Sequence, residues 1–305
     1  MKTNTTSNPG PLLRALFTPL LAIAALFAAP AAARAGLILY VSTGTQTIDR
    51  VSSTGTVSLF ATLPTGSVPY DLVVDSSGNL YVADEGINQI SKITSGGVVS
   101  SFASVSTPTG LAFDTSGNLY AGSASPGQIV KITPGGAVST FATVGSNVHG
   151  LAFDTSGNLY SANPSTNQIS KITAGGTVSL FAALPGGSQP VGLAFDTSGN
   201  LYAADQGTNQ ISKISSGGVV SLFATVPNGS GPTDLDFDGS GNLYVADRAL
   251  NQISEISPDG LTVTTFATGL DHPTFITVGP VPEPGTALFG MACVGVAALR
   301  RRRRA

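Results

Sequence analysis

Phe113-Asp114-Thr115-Ser116-Gly117-Asn118-Leu119-Tyr120 decides the fold, because the chain repeats it unchanged from Phe153 and from Phe195. It returns with one substitution at Phe237 and with two at Val74. Its closing tyrosine stands at Tyr40, Tyr81, Tyr120, Tyr160, Tyr202 and Tyr244, at intervals of 39 to 42 residues. A Phe-Ala pair keeps the same beat at Phe60, Phe102, Phe141, Phe181, Phe223 and Phe266. Two independent markers therefore count six units of about 41 residues, a period at which one supersecondary unit is repeated and buries its faces only against its neighbours.

Inside a unit, four short apolar runs alternate with turn chemistry. In the unit that starts at Val191 the runs are 191–195, 200–204, 210–214 and 219–224, separated by Asp-Thr-Ser-Gly, Asp-Gln-Gly-Thr and Ser-Ser-Gly-Gly. Runs of this length and density read as strands. Six units of four antiparallel strands predict an all-β, six-bladed β-propeller with four-stranded blades over residues 36–280. Gly110, Gly150 and Gly192 fall at one site of the first strand, where blades crowd at the axis. Phe113, Phe153, Phe195 and Phe237 are expected to fill the wedges between blades. The first unit begins at Leu37 with its second strand. Pro273 to Val278 aligns with Pro69 to Val74, so the C-terminal strand is expected to complete the N-terminal blade and remove two open edges.

The two ends carry addresses. Residues 1–35 read as a secretory signal: Lys2 and Arg14 precede an apolar run from Ala15 to Ala29, and Ala33-Arg34-Ala35 offers a small-x-small cleavage site. The competing reading is an uncleaved anchor, for which the run is short. Residues 281–305 comprise Val281-Pro282-Glu283-Pro284, an apolar stretch from Gly285 to Leu299, and arginines from Arg300 to Arg304. Such a stretch reads as a marginal membrane helix, with the arginines kept cytoplasmic. The tail resembles the PEP-CTERM sorting signal of Gram-negative, exopolysaccharide-producing bacteria, with Pro282, Glu283 and Pro284 carrying the resemblance. That resemblance implies an exosortase-type processing enzyme as partner, cleavage near Pro-Glu-Pro, and release or attachment at the cell surface. A plain tail anchor is the alternative.

Without its ends, the chain is acidic. Residues 36–280 hold 6 Lys and Arg against 16 Asp and Glu, whereas the full chain has a formal charge of −3. Such a domain repels nucleic acid and anionic lipid, which leaves the tail as the membrane contact. The single cysteine, Cys293, lies in the tail, so the propeller is stabilised by packing without a disulfide.

The phrase Pro-x-Gly-Leu-Ala-Phe-Asp-x-x-Gly-Asn-Leu-Tyr-x-Ala-Asp resembles the NHL-type repeat and is similar to the propellers of the gluconolactonase-like and virginiamycin B lyase-like families. The resemblance spans nearly all of 37–278 and implies fold more strongly than activity. A gluconolactonase-like site implies a metal held by Glu, Asn and Asp. The propeller's glutamates, Glu85 and Glu255, are expected off the inner strands. A lyase-like site implies a His base beside metal ligands. His149 and His272 are expected on opposite sides of the channel, too far apart to share an ion. No catalytic residue is carried over from either family.

Two sets of polar residues remain. Asp75, Asp114, Asp154, Asp196 and Asp238 read as turn caps rather than calcium ligands, since each loop supplies a single carboxylate. Asp71, Asp84, Asp205, Asp234 and Asp247, with His149 and Asn163, are expected to ring one channel mouth, joined there by Tyr70, Phe275 and His272. Such a ring can hold calcium or another divalent cation, or hydrogen-bond sugar hydroxyls; otherwise it is a solvated, turn-capping ring. The leading expectation is an exported binding or scaffold module for a polysaccharide or a surface protein. The alternatives are a metal-dependent lactonase or lyase and a purely structural matrix protein.

Overall fold

A computed structural model describes residues 36–279 except Ser146. The expected signal, the Pro282-Glu283-Pro284 motif, the apolar tail and the arginine block lie outside the described residues.

The N-terminal blade contains β1 (Ile38–Ser42), β2 (Thr47–Ser52) and β3 (Val57–Thr62). The second contains β4 (Pro69–Val74), β5 (Leu80–Asp84), β6 (Gln89–Ile93) and β7 (Val99–Ser104). The third contains β8 (Pro108–Phe113), β9 (Leu119–Ser123), β10 (Gln128–Ile132) and β11 (Val138–Thr143). The fourth contains β12 (Leu151–Phe153), β13 (Leu159–Asn163), β14 (Gln168–Ile172) and β15 (Val178–Ala183). The fifth contains β16 (Pro190–Phe195), β17 (Leu201–Asp205), β18 (Gln210–Ile214) and β19 (Val220–Thr225). The sixth contains β20 (Pro232–Phe237), β21 (Leu243–Asp247), β22 (Gln252–Ile256) and β23 (Val263–Thr268), and β24 (Phe275–Val278) is the last described strand.

Each blade is one four-stranded antiparallel sheet, and the expected closure is present. β24 pairs with β1 in the register Leu39↔Val278, Tyr40↔Thr277, Val41↔Ile276 and Ser42↔Phe275. The first and last described strands thus share a sheet, β24 covering the inner edge that β1 would otherwise leave open. Among the described residues, no helix is long and apolar enough to cross a membrane.

The seams between blades are aromatic. The Tyr81 ring meets Phe102 of its own outer strand at 4.9 Å and Phe113 of the next blade at 5.2 Å, both edge to face. Tyr120, Tyr160 and Tyr202 repeat the arrangement with Phe141 and Phe153, Phe181 and Phe195, and Phe223 and Phe237. This geometry places ring edges on ring faces, worth roughly 0.5–1.5 kcal/mol per pair beyond burial. A lysine caps each stack, as Lys131 does 5.4 Å above Tyr120. The wedge role expected for Phe113, Phe153, Phe195 and Phe237 follows from these contacts.

Two smaller devices recur. Asn88, Asn167, Asn209 and Asn251 sit at left-handed φ of 55°. Their side-chain oxygens accept the backbone N–H of Thr107, Gln189, Gly231 and His272 at 2.8–2.9 Å, latching each blade to the entry of the next. In every blade the third and outer strands also slip register once, as between Ile48 and Asp49 opposite β3. The extra residue makes a β-bulge that bends the outer strand.

Candidate functional site

The six innermost strands present one equivalent position to the axis: Asp71, Gly110, Gly150, Gly192, Asp234 and Phe275. Where it is glycine, the strands touch. The Gly150 N–H donates to the Val191 carbonyl at 2.9 Å, and a Cβ on Gly150 would stand 2.5 Å from that oxygen. Where it is aspartate, a carboxylate fills the seam instead. Asp71 accepts the N–H of Leu72 and, from the next blade, of Leu111, both at 2.7 Å. Asp234 accepts the N–H of Ile276 at 2.9 Å. Asp236, two residues along the same strand and hence on the same face, accepts the N–H of Phe237 at 2.8 Å and of Val278 at 2.7 Å.

These three carboxylates line an axial cavity of about 100 Å³, together with Leu111, Gly150, Leu193, Ile276 and Thr277. Burial pushes the Asp71 carboxyl up to about 7 against its two N–H donors, and the charge of Asp236 adds to the rise. Asp234 is raised well above the carboxylate range, by burial first and then by the charge of Asp71. Burial lifts Asp236 to about 6 despite its hydrogen bonds. Desolvation and mutual repulsion thus outweigh the donors.

At the mouth, Tyr70 spans from the second blade to the fourth. Its ring packs 4.6 Å from Phe275, and its hydroxyl lies 2.6 Å from His149 Nδ1. His149 Nε2 lies 3.0 Å from the Asn147 side-chain oxygen, which can only accept. Nε2 therefore carries the proton and Nδ1 accepts from Tyr70. Burial drives the His149 pKa down to about 4, so the imidazole is neutral near pH 7.

The other expected ring members lie elsewhere. Asp84, Asp205 and Asp247 close their second strands and are buried within their own blades, Asp205 and Asp247 bonded to the third strand and Asp84 chiefly to the segment before the first, with exposures of 0%, 1% and 0%. Asp84 accepts the Ser67 hydroxyl at 2.6 Å and the Val68 N–H at 3.0 Å. Asp205 accepts the Ser212 hydroxyl at 2.6 Å, and Asp247 accepts Ser254 and Gln252. Burial raises all three, Asp205 to about 6. Asn163 takes the equivalent place in the fourth blade, where its side-chain oxygen accepts the Thr166 N–H at 3.3 Å. His272 is exposed and bonded to Asp271 at 2.7 Å. The structure therefore brings Asp71 and Asp234 together at the axis, keeps His149 and Tyr70 at the mouth, and distributes the rest among the blades. Asp236 completes the axial group. Its signal in the sequence was Asp at a position where three other units carry Ala112, Ala152 and Ala194.

The turn aspartates sit on the opposite face. Asp114 accepts the N–H of Ser116 and Asn118 and the side-chain amide of Asn118 at 2.8–2.9 Å, while Gly117 takes φ of 79°. Burial alone would raise Asp114, but these donors and Lys131 hold it below the usual range. Asp75, Asp154 and Asp196 repeat the turn bonds and the lowering. Between consecutive turns lie open clefts. One of about 480 Å³ is lined by Phe195, Thr197, Ser198, Tyr202, Phe237 and Ser240. Another of about 350 Å³ is lined by Phe113, Thr115, Ser116, Tyr120, Phe153 and Thr155, with Lys131 at its side. The Thr and Ser residues of these turns are exposed.

Among the described residues, no group of three or more His, Cys, Asp and Glu side chains is placed to share a metal ion. The cation expected at the channel mouth thus finds no ready-made ligand set there.

Comparison with known proteins agrees with this architecture. A streptogramin B lyase structure matches with a TM-score of 0.65 at 19% identity, over 81% of this chain and 88% of that one. A catalytically inactive variant of virginiamycin B lyase from Staphylococcus aureus, with quinupristin, matches with a TM-score of 0.62 at 17% identity, over 80% and 92%. A chain of the nidogen/laminin complex matches with a TM-score of 0.71 at 20% identity, over 80% and 98%. At these identities the likeness is one of fold. No curated protein matches the sequence. The PEP-CTERM protein-sorting motif matches residues 280–304, which marks the chain for export and sorting and includes Pro282, Glu283 and Pro284. The model of the virginiamycin B lyase family matches residues 25–289, nearly the whole chain, and the protein belongs to that family.

Proposed function

We propose that this protein is an exported, surface-sorted binding propeller whose ligand is an extracellular polysaccharide. The reading rests on the repeated clefts of the turn face. Each offers aromatic rings as an apolar floor and exposed Thr and Ser hydroxyls at its edge. Apolar ring faces beside hydroxyls suit the alternating C–H and O–H surface of a sugar ring. Repetition around the propeller suits a repeating polymer, because linked weak sites gain avidity without any new contact. The processing partner is an exosortase-type enzyme acting on the tail.

Lyase chemistry draws its support from the family. Its metal and base find no matching set here: both nitrogens of the half-buried, neutral His149 are hydrogen-bonded, and the axial carboxylates are bonded to backbone N–H groups. The described residues do not fit metal-assisted lyase chemistry.

Binding of a panel of polysaccharides to the purified protein tests the proposal. At least one polymer should bind far more tightly than its own short oligomers. Replacing Thr115, Thr155 and Thr197 by Ala should weaken polymer binding stepwise, with the melting temperature unchanged. Failure of every polymer to bind, or indifference to the triple variant, refutes the proposal.

A further inference from the structure

The strand that closes the ring is also the last described strand before the sorting motif. β24 ends at Val278, and the motif begins at residue 280. Two carboxylates of the preceding inner strand hold β24, where β8 is held by one, Asp71. Of the β24 N–H groups, Ile276 donates to Asp234 and Val278 to Asp236, both carboxylates of β20. On the other side its residues pair with β1. The carboxylates stand on one face of β20, and Asp234 is only 6% exposed.

We propose that Asp234 and Asp236 make the docking of β24 proton-dependent, so that the strand leading to the tail is held more firmly in mildly acidic than in neutral or alkaline medium.

The physical basis is a competition. Ionised carboxylates accept N–H bonds more strongly than neutral acids, which favours docking at high pH. Opposing that are the desolvation of two anions in one seam, their mutual repulsion and the nearby charge of Asp71. The second set prevails, since both groups hold their protons far more tightly than free carboxyls. Such groups add stability that is fully present below about 4 and is lost as pH rises through about 6 and beyond. The other titratable groups around the axis are few. β4 carries Tyr70 and Asp71, and β8, β16 and β24 carry none; β1 beside β24 carries Tyr40, and β17 and β21 behind β20 carry Tyr202, Asp205, Tyr244 and Asp247. The charges of Glu85 and Arg248 act on Tyr70 in opposite senses. His149, just before β12, acts in the opposite sense: burial lowers its pKa to about 4, so its contribution falls as pH drops below about 6.5. The proposal is therefore read at β24 and not from overall stability alone.

Hydrogen exchange of the Ile276 and Val278 amides in the full chain provides the test. After correction for intrinsic exchange, protection should rise by about tenfold or more from pH 8 to pH 5, as the rise of the Asp236 carboxyl to about 6 implies. The Leu201 and Leu243 amides of the blade interiors serve as reference. In Asp234→Asn/Asp236→Asn, which mimics the protonated pair, protection should become independent of pH and match the acidic wild type. Flat or falling protection at the two amides in the wild type overturns the proposal, as does an unchanged pH slope in the double variant. If the variant fails to fold, the wild-type series alone decides.

Discussion

The seam between the fourth and fifth blades and the seam between the sixth and first do the same job with different chemistry. At the former, Gly150 lets two backbones bond directly at 2.9 Å. At the latter, Asp234 and Asp236 insert carboxylates between strands and bond the N–H groups of Ile276 and Val278. The glycine seam is neutral and insensitive to protons. The carboxylate seam buries charge. One repeated strand can therefore join its neighbour rigidly or conditionally, depending on two residue positions.

The largest expected effect lies on the closing strand, β24, where it packs on the second blade. Phe275 is fully buried against Tyr70, so Phe275→Ala should cost about 3–5 kcal/mol in urea unfolding. Phe153→Ala, at a partly exposed wedge, should cost clearly less. Equal costs would erase the distinction between the closing strand and the interior wedges. Next comes Gly150→Ala, whose Cβ must push the Val191 carbonyl away. Overpacking of this kind costs about 1–3 kcal/mol, and the loss should be the same at pH 5 and pH 8. A pH-dependent loss there would mean that the glycine seam senses protons after all.

A smaller effect of opposite sign belongs to the turn face. The carboxyl of Asp154 is held below its ordinary range, so its contribution is present above about 4 and lost as pH falls further. Asp154→Ala should cost about 1–2 kcal/mol at pH 7, and the cost should shrink progressively as pH falls below about 4 in chemical denaturation. The axial carboxylates run the other way. The smallest change is Asn167→Ala, which removes the latch to Gln189 and should lower stability by about 1 kcal/mol. A larger loss would make the latches, and not the axial residues, the main link between blades.

The blade count, the strand positions and the closure by Phe275 and Ile276 were legible because they depend on periodicity and on alternation of apolar and turn residues. The turn role of Asp114 and its equivalents was legible because a loop's hydrogen bonds are local. The channel-mouth ring was only partly so. Strand ends locate Cα atoms, but the direction of a carboxylate depends on which donor lies nearest. Ser212 and Ser254 draw Asp205 and Asp247 outward within their blades, while Leu111 and Ile276 draw Asp71 and Asp234 across the seams. Those partners lie 7 residues away in the first case and 40 or 42 in the second.

The bulge carried by every outer strand bears on how such molecules coexist when crowded. None of these six strands contains a proline or a charged residue, and Leu59, Leu180 and Leu222 are 60–63% exposed on them. Six smooth margins of that composition would invite neighbouring copies to stitch together into sheets. A kink at the same point of each margin interrupts the row of donors and acceptors that such stitching requires. The ring can thus present a greasy, uncharged perimeter and still remain a discrete particle.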